Sequence, residues 1–266
     1  MYPGRRFALP RAIMPHPLGV HIWLVCQFGT DYGLNEIEKV LASRDRLSLP
    51  GLVGPIGQTC VKLLAHTHTP RKHPMTRPII LVTNDDGIHA PGLAVLAEAM
   101  KEVGEVYVYA PDRQQSAVGH GVSLHKPLRV HAFKDHWFMV DGTPTDCIML
   151  AVRSLMAERP NLVVSGINPG ANLGDDVTYS GTVAGAFEGM LLGVPSFAIS
   201  NINRKPKHLD AAARFAATLG RQVLEQGLPP DTTLNVNLPD LPYEGIQGVS
   251  ITRMGRRNYQ DEIIRR

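Results

Sequence analysis

The stretch PIILVTNDDGIHAPGL, residues Pro78–Leu93, carries the most information about the fold. Its apolar segment Ile79–Thr83 does not alternate with polar residues, which is typical of a strand buried on both faces of a parallel sheet. Two adjacent acids, Asp85 and Asp86, follow this strand. At about 4 Å two like charges repel by roughly 1 kcal/mol in water and roughly 4 kcal/mol at an effective dielectric near 20, so the pair requires a positive partner.

From Met75 onward, strands and amphipathic helices alternate along the chain, which predicts crossover connections between parallel strands. We therefore predict an α/β fold with a Rossmann-like, doubly wound and mostly parallel sheet. The predicted strands are Ile79–Thr83, Glu105–Ala110, Leu162–Ser165, Ser196–Ser200 and Thr233–Asn237, with further extended stretches at Val122–Val130, Trp137–Val140 and Gly248–Arg253. The predicted helices are Gly92–Val103, Thr145–Ala157, Thr182–Leu192 and Leu209–Gln226.

Residues 1–74 have a different character, because proline and glycine interrupt them and their periodicity is weak. We interpret them as an N-terminal extension of unclear structure, with one predicted helix near Leu34–Ser43, ahead of a domain at residues 75–266. A misassigned upstream start is the alternative interpretation.

Composition and charge favour an ordinary soluble globular chain: 266 residues, 44% hydrophobic, 19% charged and a formal net charge of +3. This charge neither favours nor excludes nucleic acid by itself, and we expect no nucleic-acid partner. The apolar run LGVHIWLVCQFG is too short to span a membrane, so we expect no membrane partner. The three cysteines have no C-x-x-C spacing, which favours a reducing compartment and a cytoplasmic location.

Polar residues follow three of the predicted strands, where a doubly wound sheet binds its ligands. Asp85 and Asp86 follow the first strand, Ser116 lies in the loop after the second, and Asn168 and Asn172 follow NLVVSG. Carboxylate, hydroxyl and amide oxygens are hard ligands that select Mg²⁺, Mn²⁺ or Ca²⁺. The alternative for each residue alone is ordinary turn or capping chemistry.

The stretch SGTVAGAFEGMLLG adds a candidate phosphate site, because Ser180, Gly181 and Thr182 stand where a helix is predicted to begin. Free backbone N–H groups and the helix dipole favour an anion at such a point. A plain serine or threonine cap is the alternative. A hard cation beside a phosphate cradle indicates phosphoryl chemistry, and the cation would neutralise the acid pair.

Several segments together resemble the SurE group of stationary-phase survival proteins, which are metal-dependent 5′/3′-nucleotidases. The matching segments are ILVTNDDGIHAPGL, VYAPDRQQSAVGHGVSLHKPL, GTPTDCIMLAV, PNLVVSGINPGANLGDDVTYSGTVAGAFEG and GVPSFAIS, and the resemblance runs from about Pro78 to Arg253. It implies a Rossmann-like core with an appended hairpin region. Family members continue beyond the point that matches Arg266, so we expect the hairpin region to be truncated and the domain to be C-terminally incomplete.

The resemblance also implies site residues and partners. It implies one divalent cation per subunit, Mg²⁺ or Mn²⁺, and a nucleoside monophosphate as substrate. A homo-oligomer, dimer or tetramer, is implied for a chain with a complete C-terminal region. The implied metal ligands are Asp85, Asp86, Ser116 and Asn168, with Asp85 and Asp86 catalytic, and the implied substrate-binding residues are Asn84, Asn172, Ser180, Gly181 and Thr182.

Two other classes of protein remain alternatives. A receiver-type phosphoacceptor also places an acid pair after its first strand, but it needs a lone Asp after a middle strand and a Lys after a later one. Here the corresponding strands end in Ser165–Gly166 and in Asn201. A non-catalytic nucleotide- or phosphate-binding module is the second alternative, although G-x-G-x-x-G is absent after the first strand. Whether the nucleophile is water or a carboxylate stays open.

Overall fold

The computed structural model describes residues 77–256 and the backbone of residues 21–27. The helix predicted near Leu34–Ser43 lies outside the described residues. The strands are β1 His21–Gln27, β2 Ile79–Thr83, β3 Glu105–Pro111, β4 Val130–Lys134, β5 Trp137–Val140, β6 Leu162–Pro169, β7 Ser196–Asn201, β8 Thr233–Leu238 and β9 Gly248–Thr252. The helices are α1 Pro91–Met100, α2 Pro144–Leu150, α3 Gly181–Leu191 and α4 Leu209–Gln226, and a π turn, Ala151–Leu155, extends α2.

The strands form one sheet in the order β4-β5-β3-β2-β6-β7-β8-β1-β9. Parallel pairing runs continuously from β5 through β3, β2, β6 and β7 to β8. The described part of the sheet also has antiparallel pairs, β4 with β5 and β1 with β8. Because successive strands are added to opposite sides of β2, the strand order reverses there. The mostly parallel, doubly wound sheet that the sequence predicts is confirmed.

Helices cover both faces of this sheet, so the protein has three layers. Helix α1 packs with α4 on one face, and α2 packs with α3 on the other. Leu93, Leu96, Ala97 and Met100 of α1 are buried, and this spacing of three and four residues places them on one side of the helix. Continuous apolar strands are stable here because both of their faces are covered.

One predicted strand is wrong in its position. The sequence predicts an extended stretch at Val122–Val130, but β4 begins only at Val130. Pro127 lies within the predicted stretch and has no N–H for a strand ladder. Val122 and Leu124 are 40% and 78% exposed, so their alternation does not reflect a buried face.

Strand β1 lies in the segment interpreted as an N-terminal extension, and the sequence analysis did not predict it. It pairs antiparallel with β8, matching Trp23 with Asn237, and parallel with β9, matching Trp23 with Ser250. The extension therefore contributes a strand to the sheet of the domain. The domain boundary at residues 74 and 75 stays a prediction.

A chain that begins at Met75 tests that boundary. The ladder from β5 to β8 is continuous without β1, so we expect this chain to keep the helical signal of its circular dichroism spectrum and a cooperative melt. Among the described strands β9 pairs with β1, so Gly248–Thr252 should lose its protection from hydrogen exchange while β2 and β6 keep theirs. Loss of cooperative melting would show that the boundary is wrong.

None of the helices in residues 77–256 is both long enough and apolar enough to cross a membrane.

Candidate active site at the carboxyl edge of the sheet

The predicted site residues lie on loops that follow neighbouring strands. Strand β2 lies between β3 and β6 and is parallel to both, so the carboxyl ends of all three meet at one edge of the sheet. The loop after β2 carries Asp85 and Asp86, the loop after β3 carries Ser116, and Asn168 lies at the end of β6. This edge at the reversal of strand order is where such sheets bind ligands.

Asp85 is held tightly between its own loop and helix α3. Its side chain is buried, with 6% of the residue exposed, and its Oδ1 accepts a hydrogen bond from the Thr182 hydroxyl. Its backbone carbonyl accepts a hydrogen bond from the Gln115 N–H at 2.7 Å, which joins this loop to the Ser116 loop. Burial raises the pKa of Asp85, and the hydrogen bond from Thr182 opposes that rise.

Asp86 has fewer compensating contacts. Burial, followed by the negative charge of Asp85, raises the pKa of Asp86 to about 7. Its Oδ2 is buried and has no hydrogen-bond partner. An unsatisfied carboxylate oxygen beside a second carboxylate is costly, so this geometry favours a bound cation.

Asn84 shapes the turn that presents the two acids. It is fully buried, its Nδ2 donates to the Gly87 carbonyl at 3.1 Å, and its Oδ1 accepts from the Gly87 N–H at 3.2 Å. Gly87 has a φ of +97°, which side-chain-bearing residues rarely adopt. The polar groups of Asn84 are therefore used within the turn, and its predicted contact with substrate stays a prediction.

Helix α3 brings its N-terminus directly against Asp85. The Ser180 hydroxyl caps the helix by accepting from the Val183 N–H at 3.1 Å. A Cβ on Gly181 would lie 2.7 Å from the Asp85 Cβ, so the absence of a side chain permits this approach. The predicted cradle of Ser180, Gly181 and Thr182 therefore lies beside the acid pair, with the positive end of the helix dipole toward it.

Gly181 and Gly189 provide a matched test of this packing. Gly181→Ala should displace Asp85 and weaken Mn²⁺ binding by about tenfold, the size typical of a disturbed ligand environment. A Cβ on Gly189 would instead lie 2.9 Å from the Val163 Cβ, away from the acids. Gly189→Ala should cost about 1–3 kcal/mol of stability by overpacking but reduce Mn²⁺ affinity less than Gly181→Ala does, as measured by calorimetry. Equal Mn²⁺ affinities in the two variants would contradict this account.

Ser116 and Asn168 contribute oxygen atoms to the same edge. Ser116 is exposed, and its Oγ accepts a hydrogen bond from Gln114 Nε2 at 2.9 Å. Asn168 follows a register shift in the pairing of β6 with β7, and its Nδ2 donates to the Gly170 carbonyl at 2.7 Å. That bond uses the amide nitrogen and not the oxygen that a cation would bind.

Asn172 has a structural role in the described contacts. Its Nδ2 donates to the Ser200 Oγ at 2.8 Å, and its N–H donates to the Asn237 Oδ1 at 2.8 Å. Its carbonyl accepts from the side chains of Asn235 and Asn237. These bonds fix the loop after β6 to β7 and β8, and the phosphate contact predicted for Asn172 stays a prediction.

The resemblance places His120 near the site without a defined role, but sequence reasoning missed the contacts of two polar pairs near this edge. His120 Nε2 lies 2.9 Å from Glu188 Oε2, and Ser123 donates both its N–H and its hydroxyl to the buried Asp146. The partners are separated by 68 and 23 residues respectively, so no local spacing links them. For the second pair, the available signal is the capping box of Thr143 and Asp146 at the start of α2.

The donor set at this edge fits a hard divalent cation. It provides two carboxylates, one of them with an unsatisfied buried oxygen, together with a hydroxyl and an amide oxygen from adjacent loops. In the described part of the chain, no three His, Cys, Asp or Glu residues cluster as a metal site. The carboxylate, hydroxyl and amide oxygens of the donor set are ligands that suit Mg²⁺ or Mn²⁺ better than a soft metal.

The fold and this edge define a doubly wound α/β protein with a ligand site at the reversal of strand order. The family model of survival protein SurE matches residues 80–261, so the chain belongs to the SurE family. The 5′-nucleotidase SurE of Geobacter sulfurreducens is 56% identical over 186 residues, which cover 70% of this chain and 71% of that protein.

A second relative and a solved structure support the same family. The 5′-nucleotidase SurE of Geotalea daltonii is 55% identical, with 70% of this chain and 75% of that protein covered. The crystal structure of the SurE protein from Aquifex aeolicus superposes with a TM-score of 0.66 at 46% identity, covering 70% of this chain and 75% of that one. The predicted family and fold are both confirmed.

Proposed function

We propose that this protein is a divalent-cation-dependent phosphomonoesterase that hydrolyses nucleoside monophosphates to nucleoside and phosphate. The observation that carries the proposal is the position of the buried acid pair, Asp85 and Asp86, against the N-terminus of α3. The relatives named 5′-nucleotidase SurE, more than 50% identical to this chain, support the activity and the substrate class.

The cation is proposed to bind Asp85, Asp86, Ser116 and Asn168. When bound, it would neutralise the acid pair, polarise the phosphate ester and lower the pKa of a water molecule. Mg²⁺ and Mn²⁺ both suit these oxygen ligands.

The protein residues bind and orient the substrate. The N-terminus of α3 at Gly181 is suited to bind the phosphate, because a helix N-terminus favours the dianion. The Thr182 hydroxyl donates to Asp85 and fixes that carboxylate in one orientation. Asn84 fixes the turn that carries both acids. These fixed groups stabilise charge that develops on the phosphoryl oxygens without further reorganisation.

We also propose a cytoplasmic location, and a homo-oligomer for a chain with a complete C-terminal region. The free thiol of Cys147 is buried, which fits a reducing compartment. Assembly is what the resemblance to the SurE group implies, and sedimentation velocity would measure it.

A substrate panel with and without a chelator tests the proposal. We expect cleavage of nucleoside monophosphates and of simple aryl phosphates with Mn²⁺ or Mg²⁺, and no cleavage after EDTA treatment. Triphosphates should be poorer substrates, because extra negative charge must fit near Asp175 and Asp176. Undiminished activity in EDTA, or a strong preference for triphosphates, would contradict the proposal. Tight binding of monophosphates without turnover would instead indicate a non-catalytic binding module.

A further inference from the structure

We infer that the pair formed by His120 and Glu188 is a positioning device that holds Ser116 in place for the cation. This inference rests on the proposed function and extends it to two residues outside the proposed ligand set. His120 follows the Ser116 loop, and Glu188 lies on helix α3. Their side chains meet with 2.9 Å between Nε2 and Oε2.

Ser116 lies between two anchoring points of its loop. Before it, the Gln115 N–H donates to the Asp85 carbonyl at 2.7 Å. After it, the Gly119 N–H donates to the Tyr179 carbonyl at 3.1 Å, and His120 then contacts Glu188. The loop is therefore fixed on one side to the acid pair and on the other side to the segment that leads into α3.

The position of the Ser116 hydroxyl relative to Asp85 depends on these anchoring points. The residue is exposed, and the bond to its Oγ comes from Gln114, which belongs to the same loop. That bond cannot fix the loop relative to Asp85. The loop is instead fixed relative to Asp85 by the backbone contacts at Gln115 and Gly119 and by the side-chain contact of His120.

Helix α3 can hold the loop in a fixed position because the helix packs closely on the sheet. A Cβ on Gly185 would lie 2.8 Å from Thr83 Cγ2, and one on Gly189 would lie 2.9 Å from the Val163 Cβ. The same helix begins against Asp85. A loop tied to α3 is thereby tied to the position of the acid pair, since interiors packed this closely transmit small displacements.

The contact between His120 and Glu188 is stronger than an ordinary surface pair. The Glu188 side chain is only 10% exposed and that of His120 is 33% exposed. The His120 ring also meets Phe187 edge-on, with 5.1 Å between ring centroids. A mostly buried carboxylate that loses its donor is left unsatisfied, so this pair is costly to break.

Geometry separates this role from direct catalysis. Glu188 lies six residues beyond Thr182 on α3, which at 1.5 Å per residue is roughly 9 Å along the helix axis. The Nε2 of His120 is directed at Glu188. The engagement of this nitrogen by Glu188 fits a positioning role for His120, exerted through Ser116.

The test measures Mn²⁺ affinity directly, by electron paramagnetic resonance of free Mn²⁺ without substrate. His120→Ala should bind Mn²⁺ about tenfold more weakly, as is typical when a partner of a metal ligand is removed. The turnover number at saturating Mn²⁺ should stay near that of the parent. His120→Gln should restore most of the affinity, because its amide nitrogen reaches about as far as Nε2. His125→Ala is the matched control, since His125 is exposed on the same loop region, and should leave affinity unchanged.

A double-variant comparison adds a second criterion. If His120 acts through Ser116, then His120→Ala should have little further effect on Mn²⁺ affinity when Ser116 is already alanine. Additive losses, or a lower melting temperature with unchanged Mn²⁺ affinity, would overturn the inference. Mn²⁺ binding without hydrolysis in the parent would overturn the proposed function alone, and absence of Mn²⁺ binding in the parent would overturn both.

Discussion

Asp86→Asn should abolish most cation-dependent hydrolysis and leave the metal-free protein at least as stable as the parent. Asparagine keeps the shape of the side chain but removes its charge. We expect activity at limiting Mn²⁺ to fall at least about 100-fold, the upper end of the range for disturbing a metal ligand's environment.

The stability of the metal-free variant distinguishes an acid that serves function from one that stabilises the fold. Burial and the neighbouring Asp85 disfavour the charge on Asp86 in the absence of a cation. Removing that charge should therefore raise the melting temperature of the metal-free protein by about 2–4 °C, the shift that 1 kcal/mol gives in a domain of this size. Added Mn²⁺ should stabilise the parent and not the variant.

Scanning calorimetry with EDTA and with Mn²⁺ measures both effects. Full activity of the variant at limiting Mn²⁺, or equal stabilisation of parent and variant by Mn²⁺, would refute the role given to Asp86.

Thr182→Val has the second largest expected effect. Valine fills nearly the same volume, but its side chain cannot donate to Asp85, whose buried carboxylate would lose the hydroxyl hydrogen bond from α3. A hydrogen bond to a charged group contributes about 1.5–3 kcal/mol, so we expect a stability loss near 2 kcal/mol. We expect hydrolysis to fall about tenfold or more, because Asp85 is no longer fixed beside the phosphate cradle.

Thr145→Val is the matched control for Thr182→Val. Both threonines are fully buried, but the Thr145 hydroxyl has no hydrogen-bond partner. Its replacement should therefore be neutral or stabilising and should not change kinetics. Denaturant unfolding and steady-state kinetics on both variants provide the comparison. Unchanged kinetics in Thr182→Val would contradict the proposed pocket.

Much of the fold was predictable from the sequence, because buried parallel strands such as β2 and β6 have continuous apolar runs. The positions of Asp85, Asp86 and Asn168 at one edge followed from the rule that parallel strands end together. Strand β1 was not predictable in this way, since its partners β8 and β9 lie more than 200 residues further along the chain. Local periodicity contains no information about such a partner.

The candidate site was predictable as a set of residue types but not as a set of contacts. Ordinary turn chemistry, the alternative to a role in the site, accounts for the contacts of Asn84 with Gly87. Helix capping accounts in the same way for the contact of Ser180 with Val183. The bond from Thr182 to Asp85 and the pair of His120 with Glu188 join residues 97 and 68 positions apart. Those contacts depend on how closely α3 approaches the sheet, which three-dimensional packing alone determines.

Anomalous scattering from a crystal grown with Mn²⁺ tests the central claim most directly. The account predicts one strong anomalous peak within bonding distance of the carboxylate oxygens of Asp85 and Asp86, and no such peak in Asp86→Asn. A peak elsewhere with this edge free of metal, or no peak in crystals of a chain that hydrolyses monophosphates, would contradict it.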